Sequence, residues 1–349
     1  MFPKMVSLVI SPISLILFAP PALTQPPAPK QAPQSVERRQ DPVLRLTTEM
    51  VALDAQVVSK KTGAIVDGLK LEDFELHEDG VKQQIEHFGV GLRPLSIVLL
   101  FDYTATVQPV IKRLAERAEQ ALERLKPEDG VAVMAFTDNA ELLQDFTFDR
   151  PTTVAAIRRA AELKSSDDKA AYLNEGVYQA AVQASKVIDP QRRRVIVILN
   201  DGIANVDVLR RKHKEKDALR ELYEAGATVC GVTIKSLRTY IMQGAGVPIE
   251  SVIGIGNPAG SARSYAEKTG GEVISGKAEV AAEKLAEVFD RLRTSYSLGY
   301  TPTNAATNGK FRRLKLRLTG QARNRVGEVI IRTRQGYYPR PQSSLPAHY

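Results

Sequence analysis

Between Leu95 and Ile234 one arrangement recurs: a short unbroken apolar run, then a longer stretch with apolar residues at helical spacing. The runs are LSIVLLF (95–101), VAVMAF (131–136), RVIVILN (194–200) and TVCGVTI (228–234). A run of this kind, with no polar face, suits a strand buried on both sides. After the first run, VIKRLAERAEQALERL sets Ile111, Leu114, Ala118, Leu122 and Leu125 on one helical face. Further helices are expected near 151–162 and 172–187, in VDVLRRKHKEKDALRELYEAG (206–226), in SARSYAEKTG (261–270) and in AEVAAEKLAEVFDRLR (278–293); EVI (272–274) reads as a short strand. Strands alternating with helices predict an α/β fold: a doubly wound, mostly parallel sheet covered on both faces. The close pair 131–136 and 140–148, joined through Asp138-Asn139, is expected as an antiparallel edge.

The flanks follow the strand period instead. In MVALDAQVV (50–58), Val51, Leu53, Ala55 and Val57 alternate with Ala52, Asp54 and Gln56. KKTG (60–63) turns the chain, and FELHEDGVKQQIEHF (74–88) reads as a hairpin about Asp79-Gly80. After Arg293, Tyr296, Leu298 and Tyr300 alternate, and Leu314, Leu316 and Leu318 alternate with Lys315 and Arg317, followed by GEVIIRTRQGYY (327–338). Each flank alone leaves open strand edges, and pairing the two with each other covers them. The expected organisation is therefore an α/β unit (94–293) inserted into a small β domain built from 43–93 and 294–340, with 341–349 as a tail.

At the N-terminus, Lys4 precedes MVSLVISPISLILFAPPALTQ (5–25), an apolar stretch broken by Ser7, Ser11, Pro12 and Ser14. It is too short and too interrupted for a spanning helix. A basic end, an apolar middle and a small-residue exit form the order of a secretory signal, here residues 1–24. Export to the periplasm or the medium is expected. Residues 25–42, QPPAPKQAPQSVERRQDP, read as an extended Pro/Gln-rich linker. Cys230 is the only cysteine, so the exported fold rests on its core rather than on a disulfide; within TVCGVTI it is expected to be buried and inert. The net charge of +8, from 48 basic and 40 acidic residues, is too modest to mark a nucleic-acid binder. LRRKHKEKDALRE (209–221) mixes bases with acids and reads as a solvated helix face. Neither a nucleic-acid partner nor a stable membrane span is expected.

Chemistry concentrates at two strand exits. Asp102 ends the first apolar run, with Thr104 and Thr106 at two-residue steps, and Asp201 follows RVIVILN. Open α/β sheets bind ligands beyond the carboxyl ends of their strands, where strand order reverses. Two readings fit the residues: a threonine capping the following helix beside an ordinary Asp201-Gly202 turn, or an oxygen set for a hard divalent cation. Elsewhere, His77, His87, His213 and His348 have no metal-ligand spacing, and GIGNPAG (254–260) lacks the strand that a dinucleotide loop follows. No nucleophile motif is present, so a non-enzymatic protein is expected, a hydrolase with an unrecognised site being the alternative.

DYTAT after the first strand and NDG after a later one resemble the D-x-S-x-S and T-D-G signatures of von Willebrand factor A domains. LKLEDFELHEDGVKQQIEHF (69–88), YAEKTGGEVI (265–274), SYSLGYTPTN (295–304) and GKFRRLKLRL (309–318) resemble the bacterial VWFA-related family named for acidobacterial proteins, over about residues 43–340. The resemblance implies a Rossmann-like fold and a metal-ion-dependent adhesion site. Asp102, Thr104 and Thr106 would hold Mg²⁺ or Mn²⁺, with Asp201 acting through water, and an acidic side chain of a protein partner would complete the coordination. The sequence departs from that pattern in three places. Threonines replace both serines, Asn200 precedes the distal aspartate, and AYLNE (171–175) puts Ala171 where the third-loop threonine belongs. Ser165, Ser166, Asp167, Asp168 and Glu175 are nearby oxygens without the matching register, and Lys169 sets a cation in the same loop. The implied function is an exported protein-binding or adhesion module, the alternative a metal-independent envelope scaffold with a vestigial site.

Overall fold

The computed structural model describes residues 50–91, 93–105, 107–163, 171–201, 213–234, 261–306 and 308–339. The expected signal, the linker and the tail lie outside them. Strands are β1 (Val51–Ser59), β2 (Phe74–Glu78), β3 (Val81–Gln83), β4 (His87–Val90), β5 (Leu95–Asp102), β6 (Gly130–Phe136), β7 (Ala140–Thr147), β8 (Arg193–Asn200), β9 (Thr228–Ile234), β10 (Val273–Gly276), β11 (Tyr296–Tyr300), β12 (Arg312–Leu318), β13 (Val329–Thr333) and β14 (Gly336–Tyr337). Helices are α1 (Gln108–Glu116), α2 (Ala118–Leu122), α3 (Arg150–Glu162), α4 (Leu173–Ser185), α5 (Glu215–Ala225), α6 (Ala262–Thr269), α7 (Ala281–Arg293) and α8 (Gly320–Val326).

The unbroken apolar runs form the centre of a sheet ordered β10-β9-β8-β5-β6-β7. All neighbours are parallel except the β6–β7 edge, which is antiparallel. Every residue of β5 is buried, because its two faces meet two different helix layers. Ile97, Leu99 and Phe101 pack with α1, α2, α3 and α7, while Val98 and Leu100 pack with α4, α5 and α6. This is the doubly wound α/β architecture that the alternation predicts. The strand order reverses at β5, which has β6 on one side and β8 on the other. Cys230 is buried in the same core, where burial pushes its thiol up from the ordinary range. No helix among the described residues is long and apolar enough to cross a membrane.

The flanking strands form two four-stranded sheets, β13-β1-β11-β4 and β14-β12-β2-β3. β1 lies between β11 and β13, and β12 pairs with β2, so strands from the two ends of the described chain interleave. Leu53, Leu76, Tyr296, Leu298, Leu314 and Leu316 share one core between these sheets. Glu78 is buried there with Arg312 at 3.0 Å and the hydroxyl of Tyr337 at 2.8 Å.

Local details differ from the sequence reading. The hairpin about Asp79-Gly80 ends at Gln83; β4 leaves it to pair with β11 in the other sheet. Gln56, on the polar face of β1, is buried because α7 covers that face, and its amide donates to Arg291 O at 3.2 Å. The single helix expected over 110–125 divides at Arg117, whose N–H donates three residues back to Leu114 O at 3.0 Å. That tighter turn re-aims the chain so that Ala118, Ala121 and Leu122 stay buried. Helix α8 has no counterpart in the sequence reading; Thr319 caps it by accepting the Ala322 N–H at 3.3 Å.

Candidate functional site

Asp102 and Asp201 stand at the carboxyl ends of β5 and β8, the neighbouring strands where the sheet order reverses. Both are buried, 2% and 5% exposed, as is Thr104 at 6%. The Thr104 N–H donates to Asp102 Oδ1 at 3.0 Å and its hydroxyl donates to the same oxygen at 2.8 Å. The turn therefore folds back on the carboxylate. Helix α1 has Val107 as its N-cap, with no side-chain cap bond from that residue, and the Thr104 carbonyl accepts the N–H groups of Val107 and Gln108, both at 3.0 Å. Thr106 lies outside the described residues.

Burial is the main force on the Asp102 carboxyl, and the negative charge of Asp201 adds to it. The two Thr104 hydrogen bonds oppose them, and the pKa is still pushed up to about 7. Two acids thus share a poorly solvated crevice. Among the described residues, no basic side chain lies within ion-pair distance of Asp102. A hydroxyl that donates to a carboxylate keeps its lone pairs for another group. Carboxylate and hydroxyl oxygens form a donor set for a hard cation that keeps part of its water shell. Among the described residues, no cluster of three or more His, Cys, Asp or Glu could hold a metal by itself. Any ion here must therefore rely on hydroxyls and water beside the two aspartates.

The third loop supplies less. Ala171 is 2% exposed, and its methyl packs in the apolar cluster that includes Phe136 and Leu173. The neighbouring Tyr172 N–H donates to Thr137 O at 2.7 Å, tying this loop to the end of β6. Helix α4 sits close behind, since a Cβ on Gly176 would meet the Phe136 ring at 2.7 Å. Glu175 is turned to other partners: His213 Nδ1 at 2.7 Å and the Gln179 amide at 3.1 Å, with Tyr178 stacked on the imidazole. Ser165, Ser166, Asp167, Asp168 and Lys169 lie outside the described residues, as does GIGNPAG.

Thr137 is a residue that the sequence reading passed over. It is fully buried one position beyond Phe136, the register partner of Asp102, and its hydroxyl donates to Asp138 Oδ1 at 3.0 Å. The signal was the same one that marks Asp102: a hydroxyl and an acid at the exit of a buried strand.

No family profile and no curated protein matches this chain. Solved structures similar to it include a von Willebrand factor type A protein from Catenulispora acidiphila (10% identity, TM-score 0.40, 82% of this chain and 74% of that one). Another is proximal thread matrix protein 1 from the mussel byssus with a zinc-occupied MIDAS motif (14% identity, TM-score 0.41, 62% of this chain). A third is the conserved hypothetical protein BatB from Bacteroides thetaiotaomicron (12% identity, TM-score 0.38, 57% of this chain and 98% of that one). This chain spans about half the length of the byssus protein, 49%. The neighbours have von Willebrand A-like folds, and the likeness is one of fold alone.

Proposed function

We propose that this protein is an exported, non-enzymatic binding module. In this reading it captures an acidic side chain of a protein partner through Mg²⁺ or Mn²⁺ held by Asp102, Thr104, Thr106 and Asp201. The observation that carries the reading is Asp102: a buried carboxyl beside a second acid, at the reversal point of the sheet, with only Thr104 bonded to it among the described residues. A divalent ion there supplies a positive centre with an open position for a partner's carboxylate. Thr104 orients Asp102 through its N–H and hydroxyl. Asp201 adds negative charge beside it. The low number of protein charges leaves the centre short of electrons, which favours an acidic ligand over a neutral one.

Calorimetric titration with Mg²⁺ and Mn²⁺ tests this directly. The expected result is saturable binding by the wild-type protein and none by Asp102→Ala. Silence in the wild type, or equal heats from the variant, overturns the metal site. The buried methyl of Ala171 favours a second reading, a metal-independent envelope scaffold with a vestigial site. Retention of an identified partner in EDTA would select it, and loss of that partner in EDTA would exclude it.

A further inference from the structure

At the opposite end of the central sheet, a cleft of about 460 Å³ opens where β8 and β9 begin and the outer strands pass over them. That volume falls in the range of small-molecule sites. Arg93, Arg193, Arg194 and Arg334 line it, against Asp54 and Glu224. The acids are committed: Asp54 is shared by Arg93 at 3.2 Å and Arg193 at 3.3 Å, and Glu224 pairs with Arg220 at 2.7 Å. Arg312, also in the wall, is met by Glu78.

Arg334 is held without a close acid: among the described residues it has no carboxylate within ion-pair distance. One Nη2 hydrogen bond reaches Ala52 O, the Tyr337 ring lies 5.5 Å from the guanidinium, and Nε is buried with no partner at all. Burial lowers its pKa, and Tyr300 and the longer-range charge of Asp54 oppose that shift. Its Nη1 stands 3.7 Å from the point that a Cβ on Gly226 would occupy, and the Nη1 of Arg194 stands 4.0 Å from the same point. Gly226 has φ +62 as the left-handed C-cap of α5, so no side chain fills that space. The guanidinium of Arg194 is anchored on Val187 O through Nε and Nη2, so two guanidinium groups flank one open position, and an anion there would take charge-assisted hydrogen bonds from Arg334 in the field of both charges. Tyr223, Tyr338 and the exposed Ile188 continue the wall and offer apolar surface beside it.

We propose that this cleft binds a small organic anion, its carboxylate or phosphate head between Arg334 and Arg194 over Gly226 and its apolar body against Tyr223 and Ile188. The test is calorimetric titration and thermal melting of the full chain in EDTA, which keeps the Asp102 site out of the measurement. The probes are benzoate, phenyl phosphate, inorganic phosphate and, as the neutral analogue, phenol. Saturable binding of benzoate or phenyl phosphate is expected, with phenol and inorganic phosphate each at least about tenfold weaker. Arg334→Met is expected to weaken the aryl anions by about tenfold or more while leaving the ligand-free Tm undiminished. Equal binding of phenol, equal binding of inorganic phosphate, or no saturable anion binding overturns the proposal. So does wild-type affinity in Arg334→Met. The comparison of phenol with phenyl phosphate on the wild-type protein decides the matter even where that variant does not fold.

Discussion

Two aspartates, Asp54 and Asp102, respond to pH with opposite signs. For Asp54, burial works against ionisation, but Arg193, Arg93 and the Ser297 hydroxyl hold the carboxyl below its ordinary value. Its contribution to stability is present above the unfolded pKa and is lost as pH falls through the folded one. Asp102 is the reverse. Its folded pKa of about 7 exceeds the ordinary 3.8, so the native state binds the extra proton and loses stability as pH rises between those values. In EDTA at pH 8, Asp102→Asn is therefore expected to be more stable than the wild type by about 1–4 kcal/mol. The difference should shrink toward pH 4. Urea unfolding across that range measures it, and a variant less stable at pH 8 would contradict the buried, unneutralised carboxyl. The sequence marked Asp102, Thr104 and Asp201 by their position at strand exits. It did not mark Thr137, because the turn at Asp138-Asn139 explains the local pattern without any site.

Elements are positioned by groups that no local pattern singles out. Asp129, fully buried before β6, accepts the N–H of Leu95 at the start of β5 and that of Lys126 in the preceding turn, both at 2.8 Å. It also pairs with Arg293 at the end of α7. One carboxylate thus fixes where two central strands and a helix of the same face begin or end. Asp129→Ala would leave one buried N–H, one partly buried N–H and a partly buried guanidinium without their acceptor. A loss of about 3–5 kcal/mol in urea unfolding is expected, and a loss below about 1 kcal/mol would show that water replaces the carboxylate. In the sequence Asp129 is one acid in a polar turn. Its partners Leu95 and Arg293 lie far along the chain, so helical or strand periodicity carries no trace of them. Helix division at Arg117 has the same character: both halves keep the apolar spacing, and only the packing decides where the turn tightens.

At the scale of the molecule, β1 is held on both edges by strands that follow the α/β region, and β2 is held by another. A chain ending at Arg293 would keep β1 and β2 but remove β11, β12 and β13, exposing backbone donors and acceptors along both. Such a truncation is expected to self-associate, as read by light scattering. A monomeric truncated chain with a cooperative melt would show that the first flank is stable without the second. By itself the sequence determined the strand and helix periods, the burial of the central runs on both faces, and the placement of two acids at strand exits. These follow from side-chain spacing within a few residues. Only the tertiary structure decided that β4 would leave its hairpin for β11, that Gln56 would be covered by α7 and that Ala171 would turn into the core. It also decided that Arg334 and Arg194 would converge over Gly226. Each of those outcomes depends on contact between distant segments, and burial of a polar group is a property of what covers it rather than of its neighbours in the chain.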